Sequence, residues 1–366
     1  MSKILYVTST LKRSGPTNQL HSLVKHLDRS QFEPHIITLS PEPADTRWTD
    51  YEALGARLYT LGLSRAKGLL LSKKNLRSLV GQINPDVIHT HGIRADILNA
   101  SALKGLPSLC TSHNYPFADY PTKFGKLRGS LMARQHMAAF RKINVMACSL
   151  AIQTQLKAHG IDAGVVQNGV DIEKFQTVDM QRKIALRQKL GLPKDALVLL
   201  SVGSLIPRKD MSTLIIAFEQ TGLKNARLLI LGDGPQKGML CQQADASVQM
   251  PGNVNNVSEY LGAADLFVST ALSEGLPNTV LEAMASGLPC LLSDIPPHRA
   301  LNGDDGQYFA CGDVAALAEM VGAQDQRQLA DLGHLSRHIV EQKFSAKTMT
   351  LAYQEKYIQI LGGEHG

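Results

Sequence analysis

Ser273-Glu274-Gly275-Leu276-Pro277-Asn278-Thr279-Val280-Leu281-Glu282-Ala283-Met284-Ala285-Ser286-Gly287-Leu288-Pro289 sets a loop, a helix and a stop in one run. Thr279 and Glu282 have capping-box spacing, which predicts a helix starting at Thr279. Val280, Leu281 and Met284 give it an apolar stripe, and Gly287 with Pro289 ends it. A helix N-terminus leaves backbone N–H groups unpaired and suits an anion such as phosphate. A carboxylate beside that anion repels it, so Glu274 and Glu282 are expected to accept bonds from neutral hydroxyls. Phosphate at a helix end with carboxylates on hydroxyls describes a sugar nucleotide. Taken singly, Glu282 reads equally well as a capping acid and Glu274 as a solvated loop acid.

The flanks are strands, Ala264–Thr270 before the run and Cys290–Asp294 after it. Upstream, Leu197–Gly203 reads as a strand ending in glycine, followed by the loop Ser204-Leu205-Ile206-Pro207-Arg208-Lys209-Asp210 and a helix from about Met211. Two cations just before a helix start oppose its dipole unless an anion sits there. Two adjacent phosphates would satisfy them, Arg208 by a bidentate grip and Lys209 as a point charge. Arg227–Pro235 is a strand and tight turn through Gly232 and Gly234, and Val248–Val254 follows it.

The first half alternates in the same way. Strands are expected at 3–8, 35–39, 57–61, 86–92, 108–113 and 145–149. A loop containing Gly15 joins the first strand to a helix through Leu20, Leu23, Val24 and Leu27. Strand, glycine loop and helix open a Rossmann-like unit, and ligands gather outside the carboxyl ends of such strands. No G-x-G-x-x-G occurs, so no dinucleotide cofactor is indicated. His89, His91 and His113 stand at strand ends. They read either as satisfied polar residues or as metal ligands, and no carboxylate or cysteine at ligand spacing completes a set.

The chain has 366 residues, enough for two domains. Apolar content of 44% with 19% charge fits a globular protein, and no apolar run reaches membrane-span length. The N-terminus lacks a signal-peptide layout, and the five scattered cysteines read as free thiols, so a cytoplasmic protein is expected. The net charge of +6 is uneven: residues 1–170 carry 21 Lys/Arg against 10 Asp/Glu, and the remainder is acidic. Residues 121–142 hold six cations and no acid among apolar residues, and 57–77 are also basic. The first stretch reads as a basic amphipathic helix, either a solvated face or a contact for an anionic membrane or lipid-linked acceptor. Nucleic acid is not expected, because no such motif accompanies the charge.

The run E-G-L-P-N-x-x-L-E-A-M-A-x-G-x-P resembles the Glu-x7-Glu motif of the retaining glycosyltransferases of family four (glycosyl transferases group 1), which have the GT-B fold. G-x-L-x-x-R-K at Gly203 resembles that family's diphosphate loop, and Gly232–Pro235 its G-x-G-P turn. Thr111-Ser112-His113-Asn114 is similar to its T-x-H-D segment, and Asn168-Gly169-Val170-Asp171 to part of its P-N-G-V-D segment. Ser14-Gly15 stands where a Gly-Gly pair is common. The resemblance implies two Rossmann-like domains facing across a cleft, 1–175 on the acceptor side and 176–345 on the nucleotide-sugar side. A C-terminal helix, 346–366, would cross back to the first domain. It implies a retaining, metal-independent transfer from a nucleotide-diphosphate sugar, UDP favoured and GDP next, to a hydroxyl of a lipid-linked or cell-surface glycan.

The resemblance further implies that His113 lies beside the transferred sugar and that Arg208 and Lys209 stabilise the leaving diphosphate. Glu274 would orient sugar hydroxyls and Glu282 the ribose. Gly15, Gly203, Gly234, Val254, Gly275, Leu276, Pro277, Asn278 and Thr279 would complete the donor site, with Val254 near the base. No metal or other cofactor is expected; Asp304-Asp305 reads as a loop pair and no D-x-D occurs. An epimerase, hydrolase or phosphorylase on the same fold, or a non-catalytic sugar-nucleotide-binding protein, remains the alternative. A cytoplasmic protein peripheral to the membrane is the expected setting.

Overall fold

Strand β1 (Ser2–Thr8) is apolar on both faces, and its residues from Ile4 to Val7 are all buried. That pattern belongs to a parallel sheet covered on both sides. In the computed structural model, which describes residues 1–303 and 306–363 apart from the side chains of 65–70, 302, 326 and 327, β1 lies inside such a sheet. The Asp304-Asp305 pair and the side chains of Arg65 and Lys67 fall outside the described residues. The sheet continues with β2 (Phe32–Thr38), β3 (Arg57–Thr60), β4 (Val87–His91), β5 (Ser108–Ser112), β6 (Asn144–Ala147) and β7 (Ala163–Val165), in the order β3-β2-β1-β4-β5-β6-β7, all parallel.

Successive residues of β1 serve opposite layers. Ile4 and Tyr6 pack with Leu20, Leu23 and Val24 of the helix Gly15–His26 and with Met349, Tyr353 and Tyr357 of the helix Ala346–Leu361. Leu5 and Val7 pack with Leu76, Val80, Ala95 and Leu98 on the other face. The C-terminal helix thus belongs to the first unit, which comprises 1–169 and 346–363; residues 170–345 form the second. The division precedes the expected 175/176. Val170 already donates to the Phe344 carbonyl (2.8 Å) and bridges Ser345.

The second unit holds β8 (Leu197–Val202), β9 (Ala226–Leu231), β10 (Val248–Gly252), β11 (Leu266–Ser269), β12 (Cys290–Ser293) and β13 (Gln307–Phe309). They form one parallel sheet, ordered β10-β9-β8-β11-β12-β13. Leu199, Leu228, Ile230, Leu266, Val268 and Leu291 meet Leu214, Ile215, Phe218, Leu317 and Val321 from its helices. Both sheets have a point where the strand order reverses, β1/β4 in one and β8/β11 in the other. Crevices at such points are where open α/β sheets bind ligands.

Three local expectations are corrected. The helix-opening loop, expected over Lys12–Asn18, is shorter, because Gly15–Asn18 already form the first turn of the helix Gly15–His26. The basic stretch 121–142 is two helices, Pro116–Phe124 and Lys126–Phe140, broken at Gly125, whose φ of +80° lies outside helical space. The motif helix runs Asn278–Ala285 and starts ahead of Thr279, because the Pro277 carbonyl already accepts from Val280 and Leu281 (3.1 and 3.2 Å). No described helix is long and apolar enough to cross a membrane.

Candidate active site

At the switch point of the second sheet, the loops after β8 and β11 are fastened together. After Val202 the chain passes Gly203 and makes a single 3-10 turn over Pro207–Lys209. Asp210 takes the left-handed conformation (φ 47°, ψ 46°), and the helix Met211–Gln220 follows. Left-handed backbone is costly for a residue with a side chain and persists where its surroundings hold it. Here Thr270 Oγ1 lies 2.9 Å from the carbonyl oxygens of both Lys209 and Asp210, and Asp210 Oδ2 accepts from Thr213 Oγ1 at 2.7 Å. The Leu272 N–H donates to the Arg208 carbonyl at 2.8 Å.

This clamp brings Arg208, Lys209 and Glu274 together. Arg208 Nη1 donates to the Ser273 carbonyl (2.8 Å) and to Glu274 Oε2 (3.1 Å). Lys209 Nζ donates to Glu274 Oε1. The Glu274 side chain is 8% exposed, Lys209 13% and Arg208 28%. Burial would raise the Glu274 carboxyl, but Lys209 and Arg208 outweigh it and hold it below the usual carboxylate range. The anion that the two cations require is therefore supplied by the protein. Glu274 is neither a solvated loop acid nor a group facing only hydroxyls.

Gly203, Gly232 and Gly234 serve this packing. A side chain on Gly203 would press on the Lys209 stem, 3.3 Å away. A Cβ on Gly232 would collide with the Gly203 carbonyl, and one on Gly234 with the Leu205 carbonyl. Gly232 also has φ +140°, and its N–H donates to Gly252 O (2.9 Å), which fixes the loop leading to half-buried Val254. Gly275, Leu276 and Pro277 lead into the motif helix, with Leu276 and Pro277 buried and Asn278 and Thr279 partly exposed in its first turn.

Glu282 lies one turn further, half-buried. Because Thr279 is not the cap, the capping-acid reading of Glu282 falls. Burial pushes its carboxyl up to about 7 against the pull of Lys174. Sequence reasoning did not single out His298, which lies in the helix Pro296–Asn302 that follows β12. His298 is fully buried, with Nδ1 2.7 Å from the Ser293 carbonyl and Nε2 3.4 Å from Ser269 Oγ. Burial lowers its pKa against the Ser293 bond and the nearby Glu274, and Lys209 lowers it further.

Gly15 and His113 belong to the first unit. Gly15 begins its helix next to the cap residue Ser14, whose N–H donates to Thr17 Oγ1 at 3.0 Å. His113 follows β5, and its Nε2 lies 3.0 Å from His91 Nδ1. Burial pushes His113 down to about 4. His89 turns away: its ring nitrogens meet Tyr357 OH (2.8 Å) and Thr111 Oγ1 (2.7 Å). The three histidines therefore do not converge as ligands, and no group of three such side chains with that geometry occurs among the described residues.

Two open parallel sheets, one with Arg208, Lys209 and Glu274 paired at its switch point, define an α/β protein of two Rossmann-like units. The chain belongs to the family-four glycosyltransferases of group 1. The family described as Glycosyltransferase Family 4 matches residues 13–174, and Glycosyl transferases group 1 matches 196–323. Among curated relatives, a putative teichuronic acid biosynthesis glycosyltransferase, TuaC of Bacillus subtilis, is 31% identical over 67% of this chain and 62% of its own length. A UDP-Gal:α-D-GlcNAc-diphosphoundecaprenol α-1,3-galactosyltransferase of Escherichia coli is 27% identical over 92% of this chain and 91% of its own. Among solved structures, Anabaena HepE in complex with UDP and glucose superposes with a TM-score of 0.83 at 21% identity, covering 98% of this chain and all of the other. Sucrose-phosphate synthase of Thermosynechococcus elongatus gives 0.83 at 18%, over 99% and 100%. These are GT-B structures, and the fold is theirs.

Proposed function

We propose that the protein transfers a sugar from a nucleotide diphosphate, UDP in first place, to a hydroxyl of a lipid-linked or cell-surface glycan, with retention at the anomeric carbon. The observation that carries this reading is the convergence of Arg208, Lys209 and Glu274 at the β8/β11 switch point. Preorganised cations stabilise charge as it develops on a leaving diphosphate, and partial burial strengthens them. Glu274, already hydrogen-bonded to both, is placed to exchange part of that pairing for sugar hydroxyls, and half-buried Glu282 suits the ribose. UDP is favoured because the E. coli relative is named for UDP-Gal and HepE was solved with UDP and glucose. The name of the E. coli relative, which acts on a diphosphoundecaprenol-linked sugar, also supports a lipid-linked acceptor, and that of TuaC supports polysaccharide assembly.

In this reading the acceptor attacks from the face the diphosphate leaves, and the departing phosphate takes the acceptor proton. No enzyme nucleophile and no metal are required. The membrane part of the reading rests on Lys123, Lys126, Arg128 and Arg134, which accompany exposed Phe124, Leu127 (92%) and Leu131 on the two helices of 116–140.

A thermal-shift panel of UDP, GDP, ADP, TDP and CMP is the first test. Ligand at a hundred times its Kd stabilises by about 2.7 kcal/mol. UDP standing out supports the donor assignment, and no shift with any nucleotide overturns it. NMR of the product's anomeric proton then checks retention, and chelator checks metal independence. Donor turnover with water alone, against any glycan acceptor, would favour a hydrolase. Sedimentation with anionic vesicles at low salt tests the membrane contact.

A further inference from the structure

The reversal point of the first sheet also carries a cavity, of about 110 Å³, with Thr8, Thr17, His91, His113, Tyr120 and His136 in its lining. A single water needs only about 10–15 Å³ on this measure, so the cavity has room for a larger group. His91 is 6% exposed and its Nε2 has no partner, while its Nδ1 shares one hydrogen with His113 Nε2. Burial keeps both rings neutral. Whichever ring donates, His91 Nε2 is left as a buried donor or acceptor, a state native proteins rarely leave unanswered.

Tyr120 and His136 of the same lining belong to a hydrogen-bond chain. Asp96, fully buried, accepts from Thr90 Oγ1 at 2.5 Å with one oxygen and meets His136 Nε2 at 2.7 Å with the other. His136 Nδ1 lies 2.7 Å from Tyr120 OH, with the two rings stacked 10° from parallel. An ionised carboxylate can only accept, so a singly protonated His136 would donate through Nε2 and accept through Nδ1. In that state Tyr120 gives its one proton to His136, which leaves the phenol oxygen an acceptor. Burial, with Asp96 and Asp119 adding to it, keeps that phenol protonated. Gly129 lets the helix that carries Tyr120 sit this close: a Cβ there would strike the Tyr120 carbonyl.

We propose that this cavity takes a neutral, hydroxyl-bearing ring of the carbohydrate acceptor, one hydroxyl donating to the Tyr120 oxygen and another meeting His91 Nε2. Asp96 and His136 are positioning residues that act through Tyr120 by fixing which way its proton points. The proposal rests on the glycosyltransferase reading and adds the acceptor's chemistry: a wall of neutral rings and an acceptor-only phenol receives a polyol and gives an anion no charge to bind.

The test uses the full chain with 15N-labelled histidine, whose long-range 1H–15N spectra report tautomers, and methyl α-glycosides of glucose, galactose and N-acetylglucosamine as probes. The wild type should show His136 as the Nε2–H tautomer. At least one glycoside should move the His91 Nε2 signal, and inorganic phosphate should not. Tyr120→Phe should weaken that glycoside about tenfold, the worth of one neutral hydrogen bond, with the His136 tautomer kept. Asp96→Asn should release His136 toward the Nδ1–H form and weaken the same glycoside. The proposal is overturned if wild-type His136 is doubly protonated or Nδ1–H, if no glycoside moves His91, or if phosphate moves it equally. UDP shifts measured on the same samples report on the second unit. Their failure would strike the donor reading and leave the cavity result standing on its own.

Discussion

Glu274→Gln separates two jobs that the site gives to one carboxylate. Without nucleotide, Glu274 neutralises Arg208 and Lys209; with donor, in the proposed reaction, it turns toward sugar hydroxyls. Removing one member of a buried ion pair costs about 3–5 kcal/mol, and an exposed pair is worth about 0–1 kcal/mol. With Arg208 28% exposed and still bonded to the Ser273 carbonyl, and with glutamine keeping one acceptor oxygen, the expected cost is about 2 kcal/mol. For a unit the size of 170–345 that lowers Tm by about 4–8 °C. UDP should offset most of the loss, because its diphosphate no longer competes with a carboxylate for the two cations. A tenfold gain in UDP affinity would add about 1.4 kcal/mol of stabilisation over the wild type at saturating ligand. Calorimetry of both proteins with and without UDP is the assay, and sugar transfer by the variant should be lost. A variant as stable as the wild type without nucleotide, or stabilised less by UDP, would refute the idea that Glu274 holds the place of the phosphates.

Three further outcomes are expected. Lys209→Ala should lower kcat/KM roughly ten- to a hundredfold, the worth of one charged hydrogen bond, in steady-state assays; an unchanged value removes Lys209 from the mechanism. Glu282, raised in the folded protein from 4.5 to about 7, contributes stability that is complete below pH 4.5 and lost as pH rises through 7. Glu282→Gln should therefore be more stable than the wild type at pH 8, by about 3 kcal/mol, with the advantage gone at pH 4.5 in denaturant titrations. Gly232→Ala, strained at φ +140° and colliding with the Gly203 carbonyl, should lose at least about 3 kcal/mol, and intact stability would show that the three loops pack less tightly than described.

What could be read from the sequence was whatever is encoded in neighbouring residues. The ten strands expected from apolar runs and the Arg-Lys pair before its helix are local strings, and the family resemblance rests on such strings too. Three strands escaped: Ala163–Val165 and Gln307–Phe309, because three residues at a sheet edge carry no period, and the edge strand Val248–Gly252, whose run is interrupted by Pro251 and Gly252. The basic run 121–142 read as one helix because charge and hydropathy continue across Gly125, while the break lies in a backbone angle that only glycine takes freely. The cap was misplaced because Thr279 has the right side chain, whereas the Pro277 carbonyl, invisible to residue-type rules, had already started the helix.

The site divides along the same line. Arg208 and Lys209 were legible as cations in need of an anion, but the identity of that anion was not. Glu274 is 65 positions from Lys209, and only the β8/β11 adjacency makes them neighbours. Tyr120, His136 and Asp96 gave no signal at all, since their chain depends on two helices meeting at Gly129 and on a helix that follows β4. In both sheets, residues that are unremarkable in sequence acquire chemistry because a change of strand order opens a crevice and brings separate loops to its rim. An unexplained cation, as at Lys209, or an unanswered ring nitrogen, as at His91 Nε2, then marks the place where a ligand's chemistry is still missing from the account.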